Sequence, residues 1–155
     1  MTDTDNTVLI GKSAGQAINS SDANYTVAVG WNALADLTSG QNNTGIGYRA
    51  LADVTTGDRN TAVGYAVLDG ITTGNDNVAV GWGAGGSTSN TTGTNNTFIG
   101  GTAGNQIINK NDNTFIGYRA GATNRAGASS TIIGCLLYTS PSPRDVEESR
   151  MPSSA

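Results

Sequence analysis

One kind of glycine recurs along this chain at a nearly fixed interval, and that interval limits the fold more than any other feature. Gly11, Gly30, Gly47, Gly64, Gly81, Gly100, Gly117 and Gly134 each follow a β-branched residue, at spacings of 19, 17, 17, 17, 19, 17 and 17. Fixed-period self-similarity is the signature of a solenoid or array, whose units cannot bury an apolar face alone and must stack. A disordered Gly/Asn/Thr-rich chain has no reason to hold Val or Ile in register, so disorder is set aside.

The residues around each glycine describe a short strand. Ile10, Val29, Ile46, Val63, Val80, Ile99, Ile116 and Ile133 precede it directly, and Val8, Val27, Thr44, Thr61, Val78, Thr97, Thr114 and Thr131 stand two positions earlier. Trp31, Tyr48, Tyr65, Trp82 and Tyr118 follow it, with Lys12 and Gly101 as exceptions. Alternate β-branched and aromatic residues make one face of a strand, and that face reads as the interior of the coil. The opposite face starts with Asn43, Asn60, Asn77, Asn96 and Asn113, then carries Leu9, Ala28, Gly45, Ala62, Ala79, Phe98, Phe115 and Ile132. A solvent face is normally polar, so this small or apolar face is expected to pack against a neighbouring copy of the chain.

Each repeat holds a second apolar pair, Leu34–Leu37, Leu51–Val54 and Leu68–Ile71, within stretches such as ALADL that look helical in isolation. A 17-residue turn leaves little room for a helix, so a second short strand or a single 3₁₀ turn is expected. The corners ending at Gly40, Gly57 and Gly74 carry turn chemistry. Stacked in register about 4.8 Å apart, eight such rungs give a rod on the order of 35 Å long, with Asn ladders and aromatic stacks between rungs. The expectation is all-β, a parallel β-roll or β-solenoid of about eight rungs of 17–19 residues, spanning 1–134. Period alone leaves its handedness open.

The repeated NTAVGY pattern with its Thr-Gly corner resembles the YadA-like head repeats of trimeric autotransporter adhesins, and also collar-like repeats of phage tail fibres. The resemblance covers Asn6 to Gly134. It implies a parallel β-roll that trimerises about its axis, on a virion tail fibre or at a bacterial cell surface. The present spacings of 17 and 19 are longer than the family's usual repeat. Coiled-coil stalk, membrane anchor and chaperone segments of such proteins have no counterpart here, and a fragment of a longer protein is expected.

Composition changes at Gly134. All 22 glycines lie from Gly11 to Gly134, whereas the three prolines, both glutamates and the single cysteine, Cys135, all follow it. Residues 135–155, CLLYTSPSPRDVEESRMPSSA, resemble the translation of a transposase-type sequencing adapter and are expected to be a non-native disordered tail.

Few residue types able to carry chemistry are present. Before Cys135 there is no His, Cys or Glu, which removes most metal and nucleophile constellations, so no enzyme, cofactor or metal is expected. Asp36, Asp53 and Asp69 recur near one corner and read as a solvated acidic turn rather than an acid/base pair. Thr73–Asp76 occurs once and lacks a calcium-roll period. GWGAGG, from Gly81, has no phosphate-loop lysine. Six Lys/Arg against nine Asp before Cys135 leave no basic stripe for nucleic acid, and apolar runs of about four residues are too short to insert in a membrane. The aromatic series reads as core rather than a sugar-binding stripe. The structural repeat residues are Gly30, Gly47, Gly64, Gly81, Gly100 and Gly117 with Asn43, Asn60, Asn77, Asn96 and Asn113; ligand-binding residues stay unknown. The leading function is a non-catalytic attachment module of a fibre or adhesin, forming a homotrimer and binding a host-surface glycan or protein. The alternative is an ice-binding or other small-ligand solenoid, motivated by the aligned Thr44, Thr61, Thr97, Thr114 and Thr131.

Overall fold

The computed structural model describes residues 6–18, 23–86, 92–106, 109–122 and 128–135. The expected tail lies outside them except for the exposed Cys135. The chain forms a parallel β-solenoid of about six turns with rungs of about 17 residues. Eight three-residue strands stack in sequence order into one sheet: β1 (Val8–Ile10), β2 (Val27–Val29), β3 (Thr44–Ile46), β4 (Thr61–Val63), β5 (Val78–Val80), β6 (Thr97–Ile99), β7 (Thr114–Ile116) and β8 (Thr131–Ile133). Every pairing is parallel and in the repeat's register, so Thr44 pairs with Thr61 and Ile46 with Val63.

The strand faces are the reverse of the expectation. The middle residues Ala28, Gly45, Ala62, Ala79, Phe98 and Phe115 are buried inside the coil, while the flanking β-branched residues point outward. Ile46, for instance, is 39% exposed. The proposed packing of the Ala/Phe face on another copy is therefore overturned, because that face is the coil's own core. The reason is width. Opposite each strand the chain returns through a turn segment, and its Leu34, Leu51 and Leu68 fill the narrow interior. A strand presenting Val and Ile inward would not fit beside those leucines.

Size complementarity runs along the whole rod. Where the strand centre is Ala28, Gly45 or Ala62, the residue four past the marker glycine is Leu34, Leu51 or Leu68. Where it is Leu9, Phe98 or Phe115, that residue is Gly15, Gly104 or Gly121. A Cβ on Gly104 would lie 2.5 Å from the Phe98 ring atoms. The fifth rung joins the two patterns by being small on both sides, with Ala79 and Gly85; a Cβ on Gly85 would meet Leu68 Cδ2 and Phe98 Cδ2, both at 2.5 Å. Close packing of this kind admits no spare methylene.

The second apolar segment is neither strand nor helix. Ala50 N–H donates to the Gly47 carbonyl at 3.4 Å and Val54 N–H to that of Leu51 at 3.3 Å, giving two successive four-residue turns. The third residue of the first turn is left-handed, as in type II turns: Asn32 at φ 53°, Arg49 at 54° and Ala66 at 50°. Leu34, Leu51 and Leu68 are also left-handed, which bulky residues rarely adopt. The stacked neighbours hold them there: Leu51 N–H donates to the Val67 carbonyl at 3.0 Å, and Arg49 N–H to that of Trp31 at 2.9 Å. The marker glycines need their identity. Gly47 sits at φ 129°, and a Cβ there would fall well inside contact distance of the Gly64 carbonyl.

Candidate functional site

Two polar ladders hold the rungs together beside the corner, one buried and one largely exposed. The buried one contains the five predicted asparagines. Asn43 Oδ1 accepts from the Asn60 backbone N–H at 2.9 Å and from Asn60 Nδ2 at 3.1 Å. Asn60 Oδ1 does the same for Asn77 at 3.1 and 2.9 Å, and the pattern continues through Asn96 to Asn113. Each amide also donates to a corner carbonyl, as Asn60 Nδ2 does to Gly74 at 2.8 Å. The acceptor oxygen, both amide hydrogens and a backbone N–H of the next rung are thereby satisfied, which burial demands. These residues are structural: their polar groups are used up inside the coil and present nothing to a ligand.

The second ladder was missed in the sequence. Its members directly follow the corner glycines, except Asn111, which follows Lys110: Gln41 N–H donates to Asp58 Oδ1 at 2.8 Å, Asp58 N–H to Asn75 Oδ1 at 2.7 Å, and Thr94 N–H to Asn111 Oδ1 at 2.9 Å. The available signal was an Asn, Asp or Thr after a glycine at the repeat's period. Beside it, Arg59 grips Asp76 in the next rung through Nε at 2.6 Å and Nη2 at 2.9 Å. That hydrogen bond holds the Asp76 carboxyl below its ordinary pKa.

Asp53 and Asp69 behave oppositely. Burial pushes both carboxyls above their ordinary value, against the pull of Arg49, whose guanidinium stands 3.5 Å from Asp53 and 3.7 Å from Asp69. Asp53 and Asp69 are thus partly buried and cation-paired rather than fully solvated, whereas Asp36 is exposed as the turn reading expects. Among the described residues no group of three or more His, Cys, Asp or Glu is placed to hold a metal. No helix of the described residues is long and apolar enough to cross a membrane.

What the fold leaves facing outward is a different surface. Three parallel columns lie side by side on the sheet: the Thr/Val column from Val8 to Thr131, the Ile/Val column from Ile10 to Ile133, and the aromatic column from Trp31 to Tyr118. From β2 to β7 none of these positions carries a charge. By strand and residue spacing the face of the eight-stranded sheet measures roughly 34 by 13 Å, on the order of 450 Å². Apolar patches of this size are among the largest on ordinary monomers and are often interaction sites. The aromatic residues are on this surface and not in the core, correcting the expectation for them. Trp31 stacks on Tyr48 and Tyr48 on Tyr65, each with ring centroids 4.8 Å apart and planes within 14° and 6°. Tyr48 therefore has a ring on both faces, and only its edge and hydroxyl meet solvent. A sugar platform needs an open ring face, which this stretch of the column does not offer.

No protein-family model, curated protein or solved structure matches this chain.

Proposed function

We propose that this chain is a non-catalytic structural and attachment module whose copies pack their outward sheet faces together, as in a tail fibre or surface adhesin of the YadA-like kind. The observation carrying this reading is the uncharged outward column of exposed Ile46, Val80 and Ile99 with half-buried Val63, flanked by Thr/Val on one side and aromatic rings on the other. Burying that column against equivalent columns removes apolar surface from water at about 25 cal/mol per Å². Parallel coils about a three-fold axis bring like residues to like height, so the copies meet without a register conflict. In this reading the protein works outside the cell, on a virion or a bacterial surface. The host glycan or protein is held by residues away from the shared face. The test is a charge pair, Val63→Lys with Val80→Lys. The variant is expected to keep its β-type circular dichroism and lose its assembled mass, whereas an assembly of unchanged mass would sink the proposal.

A second reading is favoured by one specific observation. Thr44, Thr61, Thr97 and Thr114 face outward on a parallel sheet, in the regular spacing an ice-binding surface uses, and not inward as the sequence had implied. Val27 and Val78 interrupt that column, and its neighbour is Ile/Val. Thermal hysteresis in a dilute solution of the chain, abolished by Thr61→Lys, would move this reading ahead of the first.

A further inference from the structure

A column of left-handed residues bounds the outward sheet face on each side, and the charges on these two margins follow a pattern that one coil does not explain. One margin lies two residues ahead of each strand: Asn42, Arg59, Asp76, Asn95 and Asp112, with φ between 56° and 60°. The other lies three residues past each strand: Arg49, Ala66, Gly83, Thr102 and Arg119, with φ between 50° and 61°. Arg59 and Asp76 neutralise each other across adjacent rungs, and the far margin of those rungs carries the uncharged Ala66 and Gly83. Arg49 is held by Asp53 and Asp69, and the far margin of its rung carries Asn42. The rung of β7 is different. Asp112 and Arg119 are both exposed, and among the described residues neither forms an ion pair. Asp112 accepts a neutral hydrogen bond, from Asn95 Nδ2 at 3.1 Å. It is also the sole carboxylate between Asp76 and Cys135, so the rungs of β6, β7 and β8 hold no other acid for Arg119. Within one copy the two do not meet, because β7 and the residue at each of its ends keep them roughly 16 Å apart.

We propose that copies of this chain associate parallel and in register, with the Asp112 carboxylate of one copy paired to the Arg119 guanidinium of the next. This rests on the self-association reading above and adds orientation and register to it. When copies are related by rotation about the rod axis, the margin ahead of the strands in one meets the margin past the strands in its neighbour, at equal height. Asp112 then faces Arg119. The Arg59–Asp76 pair, already neutral, faces Ala66 and Gly83, and Arg49 with its own acids faces Asn42. Like charges meet at no rung from β3 to β7. A slip of one rung sets Arg119 against Asn95 or Ser129 and leaves both charges of the β7 rung unpaired. Antiparallel packing of the two faces sets each margin against itself, and Asp112 and Arg119 never meet. At the rim of an apolar face such a pair fixes register and excludes wrong arrangements more than it adds affinity.

The experiment is sedimentation equilibrium, with circular dichroism on each sample, of the full chain, Asp112→Arg, Arg119→Glu, the double variant and an equal mixture of the two single variants. All are expected to keep their β structure, since both side chains are exposed and Arg59 already occupies the place of Asp112 in another rung. The unmodified chain is expected to assemble. Each single variant sets like charges against each other and is expected to need at least about tenfold more protein for half-assembly. The double variant exchanges the two charges and is expected to assemble as the unmodified chain does. The mixture is expected to recover as well, because every contact between unlike copies restores an opposite pair. Single variants that assemble as readily as the unmodified chain would overturn the paired register and leave self-association standing. Recovery in the double variant without recovery in the mixture would place the pair within one copy and overturn the proposal too. An unmodified chain that stays at the mass of one copy would overturn both readings together.

Discussion

Replacing Phe115 by Ala probes the size pairing that sets the coil's interior. Phe115 is fully buried, its ring 5.7 Å from that of Phe98, and truncating such a ring costs about 3–5 kcal/mol through lost transfer energy and the cavity left behind. Gly121→Leu alone is also damaging, since a Cβ at 121 lies 2.5 Å from Phe115 Cε2, and overpacking costs about 1–3 kcal/mol. Together the two changes reproduce the second rung, where Ala28 faces Leu34. The left-handed backbone at Gly121, φ 62°, is close to that already adopted by Leu34 at 50°. The double variant is thus expected to recover about 2 kcal/mol relative to the sum of the singles, a coupling typical of residues sharing one cavity. Urea unfolding followed by circular dichroism, on all four proteins, measures it. Additive losses would refute the pairing argument and leave the Phe/Gly and Ala/Leu alternation without an explanation.

Other parts of the structure give further expectations. Asn60→Ala strands the Asn77 N–H and the Gly74 carbonyl inside the coil; at about 1–3 kcal/mol per orphaned group, a loss of at least about 2 kcal/mol is expected by urea unfolding. Gly47→Ala meets both a left-handed φ and the Gly64 carbonyl, and is expected to cost more than about 4 kcal/mol or abolish folding, whereas Gly101→Ala is expected to be near neutral in the same melt. Asp69 has a folded-state pKa above its unfolded value, so its ionised form opposes folding. That penalty is absent at low pH and grows as pH rises through the ordinary carboxylate range to the raised value. Asp69→Asn is therefore expected to stabilise the protein at pH 7 and not at pH 3. Asp76 has the opposite sign: its pairing with Arg59 supports the fold above the ordinary carboxylate pKa and fades as pH falls through the lowered one. A melting curve of Asp76→Asn is expected to differ least from the parent at low pH.

The period, the parallel register and the Asn ladder were legible because each is a matter of spacing, and stacking turns equal spacing into equal position. Face polarity was not, because β-branched residues are read as interior by default. Here the deciding fact was the volume of residues elsewhere in the rung. Leu34 and Gly121 sit in one structural position, and their sizes anticipate Ala28 and Phe115 across the coil. That correlation was present in the sequence and points inward at the strand centres. The left-handed turns at Arg49 and Leu51 gave no such sign, since neither residue favours that conformation; inter-rung hydrogen bonds impose it. The outward surface is visible in the sequence as columns, but alternation alone does not say which side of the strand is inside, and aromatic residues beside Val and Ile read as core.

The outward columns are either covered by other copies in solution or left bare to water. Sedimentation equilibrium on the unmodified chain at micromolar concentration decides it. An assembly of about three times the 15.7 kDa chain mass, folded as β structure, is the expected result. A folded species that stays at the mass of one chain would contradict it and leave the face of Ile46, Val63 and Val80 to another partner.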